Sequence, residues 1–380
     1  MKFFIITTIP TTLGFFRGQP RIWSERFDVC AVSSMRKELE AFGRDEGIRT
    51  HYIPMEREIS LLKDVYSLLC FIWLFLRERP EVVHGNTPKG ALLSMAAAWL
   101  TRRPVRLYMC HGLRYQGFSG RFRRMLMFME RLTCRFATQV ITVGSSTREV
   151  LVADGLCPAE KVKVVGYGSL GIDLTRYAVC GKEEKAALRQ KHGLSADDFV
   201  YLFIGRLVHD KGVNELVEAF LRLSQENPHA HLVILGSNKR EADSVSEATI
   251  EKITQTPSIH YLGQQADVRP FFSLCDVFVL PSYREGLSMV LIESGAMGRP
   301  AITCAVTGCK EIVADGENGW LIPPRDAGAL YEAMATAAAH PERLEAFGHH
   351  AREIVEERYE RQKVWQAYWK VYKSLGESLN

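Results

Sequence analysis

Ten short apolar, β-rich runs recur along the chain, and helix-like stretches separate them. The first half carries FFIITTIP, FDVCAVSS, EVVHG, VRLYMCHG and TQVITVGS. The second restarts with DFVYLFIG, AHLVILG, SIHYLG, DVFVLPS and PAITCAV. Between them lie segments such as SMRKELEAFG and KGALLSMAAAWLT. Near-continuous apolar strands belong to sheets covered on both faces, and such sheets are parallel because helices make the crossovers. Two sets of this pattern predict an α/β chain of two doubly wound, Rossmann-like domains. Each would take ligand at the carboxyl ends of its strands. A length of 380 residues suits two cores of ordinary size. The opening MKFFIITTIPTTLGFF reads as a buried first strand rather than a signal peptide, since no small-residue cleavage site follows it.

Charge and cysteine usage narrow the setting. Nine cysteines without a C-x-x-C pair argue against a disulfide framework and a zinc site, and for a reducing, cytoplasmic environment. Residues 1–174 hold 25 Lys and Arg against 16 Asp and Glu, whereas residues 175–380 hold 23 against 28. The excess is local: nine arginines and one acid, Glu130, fall between Arg102 and Arg135. In SGRFRRMLMFMERLTCRFA, Phe122, Met125, Met129 and Leu132 recur at helical spacing beside Arg121, Arg124, Arg131 and Arg135. A basic face beside an apolar stripe suits an anionic membrane surface, so residues 114–135 are a candidate membrane contact. A solvated helix on the outside of a sheet has the same composition. Nucleic acid is not expected as a partner, because no nucleic-acid-binding motif is present. The segment 59–79 has 12 uncharged residues from Val65 to Leu76, short of the ~20 that span a bilayer. It reads as a buried helix flanking a sheet, with insertion into a membrane interface as the alternative.

Gly166, Gly168 and Gly171 match the dinucleotide pattern G-x-G-x-x-G behind a strand at Val162–Val165. That pattern needs a helix to open directly after the turn, and IDLTRYAVCGKEE does not supply one. The glycines read instead as a flexible connection between the two domains, around residues 166–181.

Three pieces of the second half point to one phosphate-bearing ligand. In LFIGRLVHDKG a strand ends at Gly205 and is followed by Arg206 and Lys211, a fork and a point charge suited to a diphosphate. In PSYREGLSMVLIESGAMGRP, Glu285 precedes a helix whose opening amides, from Gly286, Leu287, Ser288 and Met289, form an anion site. Glu285 and, two turns on, Glu293 would accept hydrogen bonds from sugar hydroxyls. The third piece, GCKEIVADGENGWLIPPRD, is a turn-rich wall.

This combination resembles the retaining glycosyltransferases of family four, which have the GT-B fold of two Rossmann-like domains facing a central cleft. The resemblance is close over residues 199–340. It implies a nucleotide-sugar donor, a UDP-sugar, and no separate cofactor. Arg206 and Lys211 would neutralise the diphosphate, Glu293 would bind the ribose, and Glu285 the transferred sugar. His111, in YMCHGL, matches the family histidine beside the donor sugar. The first half is similar to a narrower group that extends undecaprenyl-diphosphate-linked sugars in capsule, O-antigen and glycoprotein assembly. That likeness rests on VVHGNTPKGALLSMAAAWL, MERLTCRFATQVITVGSSTREVL and GIDLTRY. It makes Lys89 a candidate for the acceptor's diphosphate and Gly14 for the acceptor loop. Two positions depart from the group. The usual paired glycines near the start are Gly14 and Gly18, set apart, and the second glycine of the wall is Cys309.

The expected layout is an acceptor domain over residues 1–172, a donor domain over 173–355, and a last helix over 356–380 that packs back on the first domain. No D-x-D pair occurs in the chain, so no metal site is expected. The function implied is retaining, metal-independent transfer of a hexosyl or N-acetylhexosaminyl group, by a protein peripheral to the cytoplasmic face of the inner membrane. The competing expectations are a transferase with a soluble acceptor and a non-catalytic partner in polysaccharide assembly.

Overall fold

The structure, a computed structural model, describes residues 1–238 and 243–377. The chain forms two compact units, residues 1–170 with 362 onward, and residues 171–361. These borders fall a few residues from 172/173 and 355/356.

The first unit is one parallel sheet of β1 (Lys2–Ile6), β2 (Asp28–Ser33), β3 (Arg49–Tyr52), β4 (Val82–Asn86), β5 (Val105–Cys110), β6 (Gln139–Thr142) and β7 (Val162–Val164). Their order across the sheet is β3-β2-β1-β4-β5-β6-β7. Side chains alternate across a strand, so β1 serves two cores. Phe4 and Ile6 pack with Phe71, Leu74 and Phe75 on one face. Phe3 and Ile5 pack with Trp23, Phe27, Leu39 and Tyr372 on the other. The last helix, Arg361–Glu377, supplies Val364, Tyr368 and Tyr372 to that second core.

The second unit repeats the plan with β8 (Phe199–Ile204), β9 (Ala230–Leu235), β10 (Ile259–Tyr261), β11 (Val277–Leu280), β12 (Ala301–Cys304) and β13 (Gly319–Ile322). The order is β10-β9-β8-β11-β12-β13, again with parallel pairing. In each sheet the strand order reverses once, between β1 and β4 and between β8 and β11. Open α/β sheets leave a crevice at that reversal, outside the carboxyl ends of the strands.

Two readings of the sequence need correction or filling in, and a third agrees with the structure. The edge strands β3 and β13 lie in RTHY and GWLI, where no apolar run announces them; GWLI sits inside the stretch read as turns. The Leu61–Glu78 helix flanks the sheet but is not buried: Phe71, Leu74 and Phe75 face the core while its other side is exposed. After β7 the backbone turns at Gly166 (φ 59°) and no helix forms until Lys182, so the glycine pattern opens no dinucleotide turn.

Candidate active site

In the second unit the crevice between β8 and β11 is built from two loops that hold each other. The turn after β8 carries Arg206 and Lys211 and ends at Gly212, which starts the Val213–Glu226 helix. The loop after β11 runs from Pro281 to Ser288. Its Tyr283 amide donates to the Asp210 carbonyl at 2.9 Å. The Ser282 hydroxyl donates to the same oxygen at 3.1 Å, and Arg284 Nε to Asp210 Oδ2 at 2.7 Å. The Tyr283 hydroxyl reaches Glu215 Oε1 at 2.6 Å. Gly212 permits this closeness. Its φ is +68°, and a Cβ there would lie 2.1 Å from the Pro281 carbonyl oxygen. Gly308 does the same for the wall: at φ +79°, a Cβ would meet the Gly286 oxygen at 2.4 Å.

Within this frame Lys211 Nζ donates to Glu285 Oε1 at 2.5 Å, with both side chains largely shielded from water. The cation expected at a diphosphate and the carboxylate expected at a sugar therefore meet each other. The turn containing Arg206 is pinned to the loop after β9, through Leu207 N to Ser237 O at 3.0 Å and His209 N to Asp243 O at 2.8 Å. Arg206 is exposed there.

The helix after Glu285 begins later than the sequence suggested. It spans Met289–Ala296, with Ser288 at its N-cap. The uncommitted amides of its first turn thus belong to Met289 and its successors, while Gly286, Leu287 and Ser288 form the approach. The Ser288 side chain does not cap them, which leaves the positive end of the helix dipole open to an anion. Glu293 sits on the second turn and accepts from the Tyr177 hydroxyl at 2.8 Å. Burial raises its pKa above the usual carboxylate range.

The first unit has its own crevice between β1 and β4. Thr8 and Thr87 share a hydroxyl–hydroxyl bond of 2.7 Å across it, and the Gly90 amide donates to Thr8 Oγ1 at 3.0 Å. Lys89 opens the Pro88–Leu100 helix but is engaged, by Asp64 Oδ1 at 2.7 Å and by the Glu58 carbonyl. Gly14 lies exposed in the Pro10–Phe16 turn. Gly18 is structural: its amide meets the Glu46 carboxylate at 3.0 Å, and it packs under Trp365.

His111 follows β5 with Phe15 stacked 5.9 Å from its ring. Its Nε2 and Asn86 Oδ1 are 3.1 Å apart. An amide oxygen only accepts, so Nε2 carries the proton and Nδ1 is left as an acceptor. Burial lowers the His111 pKa to about 4, which keeps the ring neutral at pH 7. Asn86, Thr8 and Thr87 were not singled out from sequence. The signal was present as polar NTP directly after the strand EVVHG.

A hollow of about 900 Å³ lined by Lys185, Arg189, Asp276 and Arg299 lies at the opposite, amino edge of the second sheet. Asp276 already binds Lys185 and Arg189, each at 2.6 Å, so this is a structural ion-pair network. Among the described residues no group of three or more His, Cys, Asp or Glu is placed to hold a metal ion.

Comparison with known proteins gives a consistent picture. The family described as glycosyl transferases group 1 matches residues 184–354, and the glycosyl transferase 4-like domain matches residues 21–168. The Staphylococcus aureus capsular polysaccharide biosynthesis glycosyltransferase CapM is 32% identical over 377 residues, 98% of this chain and 97% of that protein. An Escherichia coli UDP-Gal:alpha-D-GlcNAc-diphosphoundecaprenol alpha-1,3-galactosyltransferase is 25% identical over 320 residues, 82% and 80% of the two chains. Among solved structures, Anabaena Alr3699/HepE in complex with UDP-glucose superposes with a TM-score of 0.80 at 20% identity, over 98% of this chain and 100% of that one. At that identity the likeness concerns the fold.

Proposed function

The chain belongs to the glycosyltransferases of the GT-B fold, and on that premise we propose that it moves a sugar from a UDP-sugar to a polyprenyl-diphosphate-linked saccharide during assembly of a surface polysaccharide. The observation that carries this is the Lys211–Glu285 contact at 2.5 Å, in the crevice where the second sheet reverses its strand order. A cation beside a carboxylate, in the loop that leads into an uncapped helix start, supports this reading, since a sugar diphosphate needs that combination. An arriving diphosphate competes with Glu285 for Lys211, and the carboxylate it frees can accept from sugar hydroxyls.

The chemistry follows from that arrangement. The bond between the anomeric carbon and the diphosphate breaks, and charge builds on the leaving oxygen. Arg206, Lys211 and the Met289 helix start stabilise it. The acceptor hydroxyl attacks from the same face and passes its proton to the departing phosphate oxygen, so the anomeric configuration is retained. His111 is neutral and held by Asn86, so its Nδ1 can accept a hydrogen bond from a sugar hydroxyl. Glu293 holds the ribose in place of the Tyr177 hydroxyl. The transferred group is a hexosyl or N-acetylhexosaminyl unit, and the acceptor's lipid keeps the enzyme at the cytoplasmic face of the membrane.

The test uses the full chain with a panel of nucleotide sugars. A UDP-sugar should raise the melting temperature, and the product formed on a synthetic polyprenyl-diphosphate saccharide should show a retained anomeric proton signal by NMR. Lys211→Ala combined with Glu293→Ala should abolish donor-dependent stabilisation and lower turnover by on the order of 10³-fold or more. An inverted product would end the mechanism. Undiminished turnover in the double variant would end the site assignment.

A further inference from the structure

The Leu61–Glu78 helix has a second apolar side that the fold does not use. Ser67, Phe71, Leu74 and Phe75 face the core. On the opposite side Leu62 is 87% exposed, Val65 55%, Leu69 57%, Trp73 54% and Leu76 57%. These five positions are spaced three or four apart and form one stripe along a helix of 18 residues, about 27 Å long. Leu61 and Tyr66 widen it. Soluble monomers seldom leave a contiguous apolar patch beyond a few hundred Å² without a partner.

The surroundings state what kind of partner. The helices Leu61–Glu78, Pro88–Leu100 and Gly120–Phe136 cross back over one side of a parallel sheet and therefore run in the same direction. The middle one ends in exposed Trp99 and Leu100 and is followed by Arg102 and Arg103. The third exposes Phe122 and Phe128 among its five arginines, and its single acid, Glu130, is buried against Tyr108. Acids on the first helix are committed: Asp64 to Lys89, and Glu78 to Lys2 at 2.9 Å and Arg49 at 3.4 Å. At its end Arg77 lies 5.2 Å from the Trp73 ring centre. The layer is apolar and aromatic in the middle and cationic around it, which matches a lipid surface with anionic headgroups. A two-fold pairing of this face with its own copy would bring two arginine fields together.

We infer that the outer face of the Leu61–Glu78 helix is seated in an anionic bilayer surface, with the arginines of the Gly120–Phe136 helix on the headgroups. The helix lies in the interface and does not cross it; no helix among the described residues is long and apolar enough to span a membrane. This goes beyond the arginine-rich 114–135 stretch, because the inserting element is a different helix, one whose sequence favours burial over interfacial insertion and whose exposed stripe decides between them. It rests on the lipid-linked-acceptor reading for its purpose, though its test does not.

The experiment is co-sedimentation of the full-length protein with phosphatidylcholine vesicles, with and without phosphatidylglycerol, at low and high salt. Wild type should bind the anionic vesicles. Leu69→Glu with Trp73→Glu, at exposed positions that leave the melting temperature in place, should weaken binding at least ~10-fold at both salt concentrations. Arg121→Gln with Arg124→Gln should weaken it mainly at low salt. Binding unchanged by the Leu69/Trp73 pair would overturn the inference. So would a wild-type dimer that this pair converts to a monomer, since the face would then belong to a second copy. Turnover on a water-soluble acceptor analogue should be unaffected by the pair. If vesicle binding is lost as expected while wild type transfers no sugar, the functional reading fails and the surface stands.

Discussion

Two buried titratable side chains in the first unit pull its stability in opposite directions with pH. The His84 ring is walled by Phe3, Phe16 and Tyr372, and its Nε2 has no partner among the described residues. Burial lowers its pKa from 6.5 to about 3. Between those values the unfolded chain takes up a proton that the native ring refuses. Native stability is therefore whole above pH 6.5 and falls as pH drops toward 3, by at most about 1.4 kcal/mol per pH unit. Glu130 behaves inversely. Burial raises its pKa from 4.5 to about 7, so the native carboxyl keeps a proton that the unfolded chain has lost, and stability falls as pH rises through that window. Urea titrations across pH should show His84→Leu flattening the acid limb below pH 6.5, and Glu130→Gln removing the opposing slope between 4.5 and 7. An acid limb of unchanged steepness in His84→Leu would rule out this histidine as its source. Neither effect is legible in sequence, which gives the residue type but not how far the side chain is taken out of water. The same holds for the contacts Lys211–Glu285, Tyr177–Glu293 and Asn86–His111, which join residues 74, 116 and 25 positions apart. Residue types at strand ends point to a phosphate-and-sugar site; which of these side chains touch one another is set by the fold.

At the scale of elements, a strand was legible when burial on both faces made it uniformly apolar, as in VYLFI or VFVL. The edge strands β3 and β13 are four residues each and partly exposed, and there the apolar signal disappears. The Leu61–Glu78 helix misleads in the opposite sense. A helix apolar all round reads as buried, and no pattern in the sequence alone says that one side lacks a neighbour. The loops at the β8/β11 crevice are legible through their glycines, and this makes them testable. Gly212 and Gly193 have nearly the same φ, +68° and +73°, but a Cβ at Gly193 would touch nothing within 4 Å. Gly193→Ala should then cost only the left-handed backbone strain, about 1 kcal/mol. Gly212→Ala adds a collision with the Pro281 oxygen and should cost about 3 kcal/mol or more, with loss of donor-dependent thermal stabilisation. Equal destabilisation in urea melts would show that the loops after β8 and β11 are not locked together as described.

For the molecule as a whole, the sequence order and the folding units disagree. The first unit is not finished until the chain has built the second and returned, because the Arg361–Glu377 helix completes its core. Tyr372 stands 5.3 Å from Phe3 and 5.1 Å from Trp23, ring centre to ring centre, and is wholly buried. During synthesis, β1 to β7 therefore expose the face of Phe3, Ile5 and Leu107 until the last helix arrives, which makes contacts of very long sequence separation obligatory for this unit. Truncating Tyr372 to alanine should remove about 3–5 kcal/mol and should do so unevenly. Hydrogen exchange should speed up in β1, β4 and β5, while β8, β9 and β11 keep their protection, since Tyr372 packs in the core of the first unit. The hydroxyl has no hydrogen-bond partner among the described residues, so Tyr372→Phe should be neutral or slightly stabilising. If Phe costs as much as Ala, the hydroxyl rather than the ring anchors the helix. If protection falls equally in both sheets, the two units unfold as one, and the helix does not belong to the first unit alone.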